Sequence, residues 1–210
     1  RNSVHAFYKR SFNPRLQLKA GITASHIYYD LLDEKWIEGE NFLRTVIDAS
    51  GHTWQAQPYA QFSYRPNTRL TLNVGLHSVL FGLNGSKSLE PRAGAKVIVS
   101  PTTTLALGYG LHSKVVPFGN YFIEINGELP NLDLELMKSH HFILALDQVI
   151  AQKYRVHVEA YYQHLFDLPV TTDPQRKIFV LNRLWGSDLD RLESVGTGTN
   201  YGIDFSIEKF

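Results

Sequence analysis

A chain of 210 residues with a formal net charge of +1 at pH 7 presents no basic surface from which to argue nucleic-acid binding. Its composition, 43% hydrophobic and 20% charged, suits a globular domain, and suits equally a wall whose strands show lipid at every second residue. The absence of cysteine excludes disulfides and thiol chemistry, and no apolar run approaches the roughly 20 residues of a membrane helix.

Apolar and polar residues alternate along most of the chain, the mark of strands whose successive side chains leave opposite faces. Residues 3–11 are predicted as a strand, and Phe12, Asn13 and Pro14 as a turn. A long strand follows over 15–30, with Leu16, Leu18, Ala20 and Ile22 opposite Gln17, Lys19, Gly21 and Thr23. The alternation breaks over 31–52, which reads as a long loop. It resumes over 53–65, where Pro58 predicts a bulge because it cannot donate to a ladder. After a turn at 66–68, the stretch 69–81 sets Leu70, Leu72, Val74 and Leu76 against Thr71, Asn73, Gly75 and His77. A shorter loop, 82–88, leads to a hairpin over 89–115 that turns at 101–103. One face carries Ala93, Ala95, Val97, Leu105, Leu107, Tyr109 and Leu111; the other carries Arg92, Gly94, Lys96, Gly108, Gly110 and His112. Residues 116–137 are irregular. A third hairpin turns near 150–152, with Phe142, Leu144, Leu146, Val156, Val158, Ala160 and Tyr162 on its apolar face. A loop over 166–198 precedes a last strand over 200–209.

Tight turns therefore alternate with long loops, which is the pattern of a barrel with short turns at one rim and long loops at the other. Antiparallel partners must share a face, so Tyr64 is expected opposite Leu70 and Val99 opposite Leu105. The fold expected over 1–210 is all-β: an antiparallel meander of about nine strands, a single domain forming part of a transmembrane β-barrel. A soluble β-sandwich ligand-binding module would bury the same apolar face, and a small outer-membrane lipid-modifying enzyme such as a lipase is a third reading. Tyr8, Tyr64, Tyr109 and Tyr162 lie on apolar faces as candidates for an aromatic girdle.

His77 and His112, in the repeated Gly-Leu-His-Ser of 75–78 and 110–113, are expected on the lumen face as ligand contacts or as ordinary lining. On strands that flank a third they stand about 10 Å apart, too far for one zinc ion without a group between them. His157, Glu159 and Tyr161 share the lumen face of one strand. They could form an acid–base cluster, but a water-filled lumen lacks the perturbation that catalysis needs. His140 and His141 are neighbours and face opposite sides. Ser25, His26 and Asp30 resemble a hydrolase set in composition only, because neighbours on one strand do not converge. The glycine-rich run 196–202 lacks the lysine of a phosphate loop and reads as a loop-to-strand junction. No catalytic residue, metal or cofactor is expected.

Several stretches carry a family resemblance: 67–77 (NTRLTLNVGLH), 89–96 (LEPRAGAK), 107–113 (LGYGLHS), 158–165 (VEAYYQHL) and 200–210 (NYGIDFSIEKF). In their order and spacing they resemble the barrel of TonB-dependent outer-membrane receptors, in the branch that begins with a carboxypeptidase-regulatory-like domain. The resemblance implies a 22-stranded barrel in the outer membrane of a Gram-negative bacterium. It also implies contact with outer-membrane lipid, import of an unidentified nutrient, and energy delivered by the TonB complex through a plug domain. The plug and more than half of the strands have no counterpart here, so the chain is expected to be a fragment of such a barrel.

Overall fold

Two asparagines set the first two short turns in the same way. Asn13 Oδ1 accepts from the amides of Arg15 and Leu16, both at 2.8 Å. Asn67 Oδ1 accepts from those of Arg69 and Leu70, both at 2.9 Å. Each side chain replaces the backbone acceptor that a reversing chain lacks. The computed structural model describes residues 1–36, 42–173, 179 and 190–210. Among them nine strands run as β1 (Asn2–Asn13), β2 (Leu16–Trp36), β3 (Leu43–Tyr64), β4 (Leu70–Phe81), β5 (Lys87–Ser100), β6 (Thr103–Lys114), β7 (Met137–Ile150), β8 (Tyr154–Thr171) and β9 (Leu192–Lys209). They pair in sequence order, all antiparallel, in one sheet with β1 and β9 at its edges.

The register is uniformly staggered. Leu16, the first residue of β2, lies in a row with Tyr64, Leu72, Ala95, Leu107, Leu144 and Ala160. That row meets β4 two residues from its start (72 − 70), β6 four (107 − 103) and β8 six (160 − 154). One residue of slip per strand, at about 3.3 Å along a strand and about 4.8 Å between strands, gives a tilt of about 35°. This is the tilt of a closed barrel wall.

The sheet is inside out relative to a soluble protein. Leu107 is 60% exposed, Val74 61% and Ile203 73%, while the polar, concave side is the more covered one. A sandwich would bury this apolar face under a second sheet, and the described residues form only one. An aromatic and histidine belt marks where the apolar band ends. His26, Trp54, His140 and His164 each lie ten residues from the short-turn end of their strand (26 − 16, 64 − 54, 150 − 140, 164 − 154). Their neighbours include Tyr28, at 4.6 Å from the His26 ring, and Phe166, at 5.1 Å from the His140 ring. Ten residues on a strand so tilted rise about 27 Å, the height of an outer-membrane apolar band. Tyr109 joins this belt, its Oη 3.0 Å from His140 Nδ1.

Above the belt the strands continue and the pattern changes phase. On β2 the concave residues are Gln17, Lys19 and Thr23 low down, but Ile27, Tyr29 and Leu31 higher up. The outward residues change from the apolar Leu16, Leu18 and Ile22 to a mixed set, Asp30 and Glu34 alternating with Tyr28, Leu32 and Trp36. The expected loop over 31–52 is therefore largely strand, as is much of 166–198; residues 37–41, 174–178 and 180–189 of those loops lie outside the described residues. The run 196–202 sits inside β9, with Gly202 opposite Tyr161. Registers differ from expectation by two residues: Tyr64 pairs with Leu72, and Val97 with Leu105, where a two-residue turn and the bulge at Val99 account for one residue each. The faces survive, since a shift of two preserves them. Pro58 causes no bulge. The β3–β4 register runs unchanged past it, from Ala56 opposite Leu80 to Tyr59 opposite His77.

The one apolar core of the described residues lies above the belt, on the concave side. Residues 115–136 fold inward there around a 3-10 turn, Phe118–Phe122. Val116, Tyr121, Phe122, Ile123, Leu134 and Leu136 bury against Val46, Ile47, Val79 and Phe81. Val46 is the extra residue of a bulge opposite Asp33 and Glu34, and its carbonyl accepts from Glu124 N at 3.2 Å. Asn84 Nδ2 donates to Leu132 O and Leu134 O, while Asn131 Oδ1 accepts from Leu192 N at 2.8 Å. The segment thus roofs the concave face and is tied to both flanks of it. Burial pushes the Tyr121 phenol up to about 12, against a smaller lowering by the Val116 backbone.

Leu107→Arg in the full-length protein, near the midplane of the outward face, is expected to cost about 2–4 kcal/mol. Gly108→Arg should cost less than half of that, because a Cβ there meets nothing nearer than Ile143 Cβ at 3.7 Å. Urea titrations in lipid vesicles, read by heat-modifiable mobility, measure both; equal losses would contradict the assignment of faces.

Candidate functional site

Below the roof, the lumen face of β4–β6 is built around one carboxylate. Glu90 is 1% exposed and accepts five hydrogen bonds. Its Oε2 accepts from His77 Nδ1 and Arg92 Nη2, both at 2.8 Å. Its Oε1 accepts from Ser88 Oγ at 2.9 Å, from Ser113 N at 3.0 Å and from Ser113 Oγ. The reason lies in the ladder. Pairing of β5 with β6 ends at Arg92 opposite Gly110, although β4–β5 and β6–β7 pair well beyond that level. Past this point the Ser113 amide has no carbonyl partner on β5, and the Glu90 side chain takes that place. A buried charge so fully bonded holds a gap closed.

His77, at the end of β4, lines a cavity of about 520 Å³ with Tyr59, Asn73, Gly75, Arg92 and Gly94, and is bonded to Glu90 at the same time. His112 packs on a different histidine. It lies against His141 of β7, the ring centres 4.5 Å apart. His140, as its neighbour's position requires, faces outward into the belt. Gly110 makes the histidine contact possible: a Cβ there would sit 2.7 Å from His112 Nε2.

A second cavity of about 530 Å³ opens beside this pair, lined by His141, Glu159, Tyr161, Gln163 and Asn200. Tyr161 lies across Gly202, its strand partner, whose absent Cβ would fall 2.6 Å from the phenol oxygen. Tyr59 and Gly21, and Tyr29 and Gly51, repeat this arrangement on β2–β3, so these tyrosines lie flat on the wall. Lower down, His157 Nδ1 is 3.2 Å from Asp147 Oδ1 and its Nε2 3.9 Å from Glu159 Oε2. Arg155 Nη2 reaches the same Asp147 oxygen at 2.6 Å. His157 and Glu159 are thus brought together within a chain of charges, and Tyr161 is turned to its glycine. Ser25 is buried on the concave side, bonded to Ser3 and Arg1, whereas His26 faces outward beside Tyr28 and His52.

Glu90, Ser88, Ser113 and Asp147 were not legible as site residues. Glu90 shares the alternation with Arg92, but nothing in the sequence marks where the β5–β6 ladder stops. Beyond the membrane span, Lys138 Nζ lies 2.7 Å from Asp167 Oδ2 and 3.4 Å from Glu135 Oε2. Burial would lower its pKa, but the two carboxylates outweigh burial and raise it. The stability this lysine adds is therefore complete below the ordinary lysine range and fades as pH climbs past it.

No family model matches the chain, and no curated protein matches it in sequence. Solved structures do. The chain is similar to the RagAB peptide importer in its "closed-closed" state, with a TM-score of 0.65 and 15% identity over 99% of this chain and 27% of that one. It is similar also to the FrpB iron transporter from Neisseria meningitidis (F5-1 variant). The TM-scores are 0.65 for the apoprotein form and 0.67 for a second structure, each at 10% identity over 99% of this chain and 33% of that one. At these identities the likeness is one of fold: the nine strands match part of the barrel wall of those transporters. The chain spans between 27% and 33% of the length of those proteins.

Glu90→Ala in the full-length protein is expected to destabilise by about 1–3 kcal/mol, since it leaves the Ser113 amide and the Ser88 hydroxyl without their acceptor, while the half-exposed Arg92 can turn to water. Urea unfolding reads the loss, and hydrogen exchange at Ser113 should rise with it. A cost below about 1 kcal/mol would show that the carboxylate does not hold the wall.

Proposed function

We propose that this chain is part of the wall of a TonB-dependent receptor in the outer membrane of a Gram-negative bacterium, where it takes part in importing a nutrient. The short-turn rim then faces the periplasm, and the roof and the upper strands face the outside. The observation that carries the reading is the inverted sheet with its change of phase. Outward apolar residues occupy about ten residues of the strands, and above them β3, β4, β7, β8 and β9 turn apolar residues inward to seat a roof. A wall of this kind separates lipid from a polar lumen and narrows the outer mouth at once. The two edge strands, β1 and β9, have open hydrogen-bonding sides in this sheet. In the proposed receptor further strands pair with them and close a larger barrel, in keeping with the share of the solved transporters that the chain covers.

On this reading the chain binds and guides rather than catalyses. The lumen groups, His112, Glu159, Tyr161 and Gln163 among them, contact a passing ligand. Gating and energy come from a plug domain that engages TonB, and the carboxypeptidase-regulatory-like branch of the family supplies the proposed domain order. Nutrient-limited growth tests the idea. Replacing residues 117–133 of the full-length protein by a Gly/Ser linker should leave the barrel inserted and reduce uptake of its nutrient at least tenfold, and deletion of TonB should abolish that uptake. Uptake that persists without TonB would overturn the proposal.

A further inference from the structure

Two imidazoles meet on the lumen face where the chain has cleared space for them. His141 stands directly opposite Gly110 across the β6–β7 pair, and His112 leans back over that glycine. Their ring centres are 4.5 Å apart and the planes are inclined by 43°, so the rings are not in a parallel stack. Metal coordination by two imidazoles has a defined span. A metal–nitrogen bond of about 2.0–2.1 Å, plus about 1.1 Å from that nitrogen to the ring centre, puts each centre about 3.2 Å from the ion. Bonds at right angles then separate the centres by about 4.5 Å, and tetrahedral bonds by about 5.2 Å. The observed spacing of the ring centres is the one that right-angled bonds require once a nitrogen of each ring is turned to the ion.

The surroundings allow a cation. Arg92, a fixed positive charge on β5 opposite Gly110, is offset in part by Glu90 at 2.8 Å. His77 is occupied by Glu90 as well, so it does not compete for the same ion. On the open side His141 borders the 530 Å³ cavity with Glu159 and Gln163. No group of three or more His, Cys, Asp or Glu side chains able to hold a metal occurs among the described residues. An ion held by this pair therefore keeps exchangeable positions, and these face the cavity.

We propose that His112 and His141 form a two-imidazole site for a divalent transition-metal ion on the lumen wall, with the remaining coordination positions open to the cavity. The site serves transient capture rather than a permanent structural ion, because two protein ligands hold weakly. By the usual order of stability for nitrogen ligands, copper(II) binds more tightly than nickel(II) or zinc(II). The site depends on neither gating nor energy supply, so binding by the purified protein and uptake by cells can fail separately.

The test titrates the full-length protein in detergent with copper(II) chloride and with zinc chloride, by calorimetry, and records the electron paramagnetic resonance spectrum of the copper form. Expected are one ion at this site, hyperfine structure from two imidazole nitrogens, and at least a tenfold loss of affinity in His112→Ala and in His141→Gln. Gly110→Ala retains both imidazoles but displaces His112, and should weaken binding as well. His164→Ala, in the lipid-facing belt, should leave it unchanged. Heat-modifiable mobility identifies the variants that remain folded. Folded His112→Ala and His141→Gln proteins that bind copper as the wild type does would overturn the proposal, and so would a spectrum with no imidazole nitrogen.

Discussion

The constraint on which everything else depends is that a backbone amide in lipid has only a neighbouring strand to bond to. It explains why the strands stay paired along nearly all of the apolar band, the β3–β4 ladder lapsing at Gln57 and Pro58, and why the bulges lie where they do. Pro58 costs no register, because a missing donor is tolerable on a strand whose other partner, β2, remains fully paired through Ile22 opposite Pro58. The bulge at Val46 sits above the belt, where water and the roof can satisfy what the ladder gives up. Glu90 is a case in which a side chain substitutes for a missing strand acceptor on the lumen face. It does so at the outer edge of the band, where β5 and β6 part.

The stagger follows from the same constraint. Closing a ladder into a barrel requires strands to tilt, and tilt appears in the register as a slip of one residue per strand. The short turns absorb it evenly: each second strand begins two residues further along a common row. The belt obeys the slip too. His26, Trp54, His140 and His164 do not share a row of paired residues across the whole sheet, yet each stands ten residues above its own rim. Height above the membrane edge, rather than row, decides where aromatic and histidine side chains gather.

Sequence patterning carried the fold as far as one environment extended. Between rim and belt the contrast of lipid and water is sharp, and Leu70, Leu72, Val74 and Leu76 declare it. The nine strands, their order and their faces were legible for that reason. Above the belt both sides are wet except where the roof packs, so Ile27, Tyr29 and Leu31 turn inward while Asp30 and Glu34 share the outward face with Tyr28, Leu32 and Trp36. A strand with apolar residues on both faces looks, in sequence, like a loss of alternation. This is why 31–36 and 43–52 read as loop although they are extended and paired. The site was less legible still. Which histidine meets which depends on the cross-strand diagonal and on a vacancy at Gly110, and neither is written in local spacing.

The roof and the histidine pair follow from one economy of shape. The lumen wall of β4–β6 carries Gly75, Gly94, Gly108 and Gly110 where other strands carry long polar side chains. On β2–β3 and β8–β9, glycines are instead covered by cross-strand tyrosines, which lie flat and stiffen the wall. A tyrosine over a glycine closes a gap in the wall, whereas His112 over Gly110 lies against His141, which borders an open cavity. The same backbone device, a missing Cβ opposite a ring, thus smooths the wall in one place and brings two rings together in another. The difference lies in the ring: a phenol lying over its glycine fills the gap, while each neutral imidazole carries one ring-nitrogen lone pair that can accept a hydrogen bond, a proton or a metal ion.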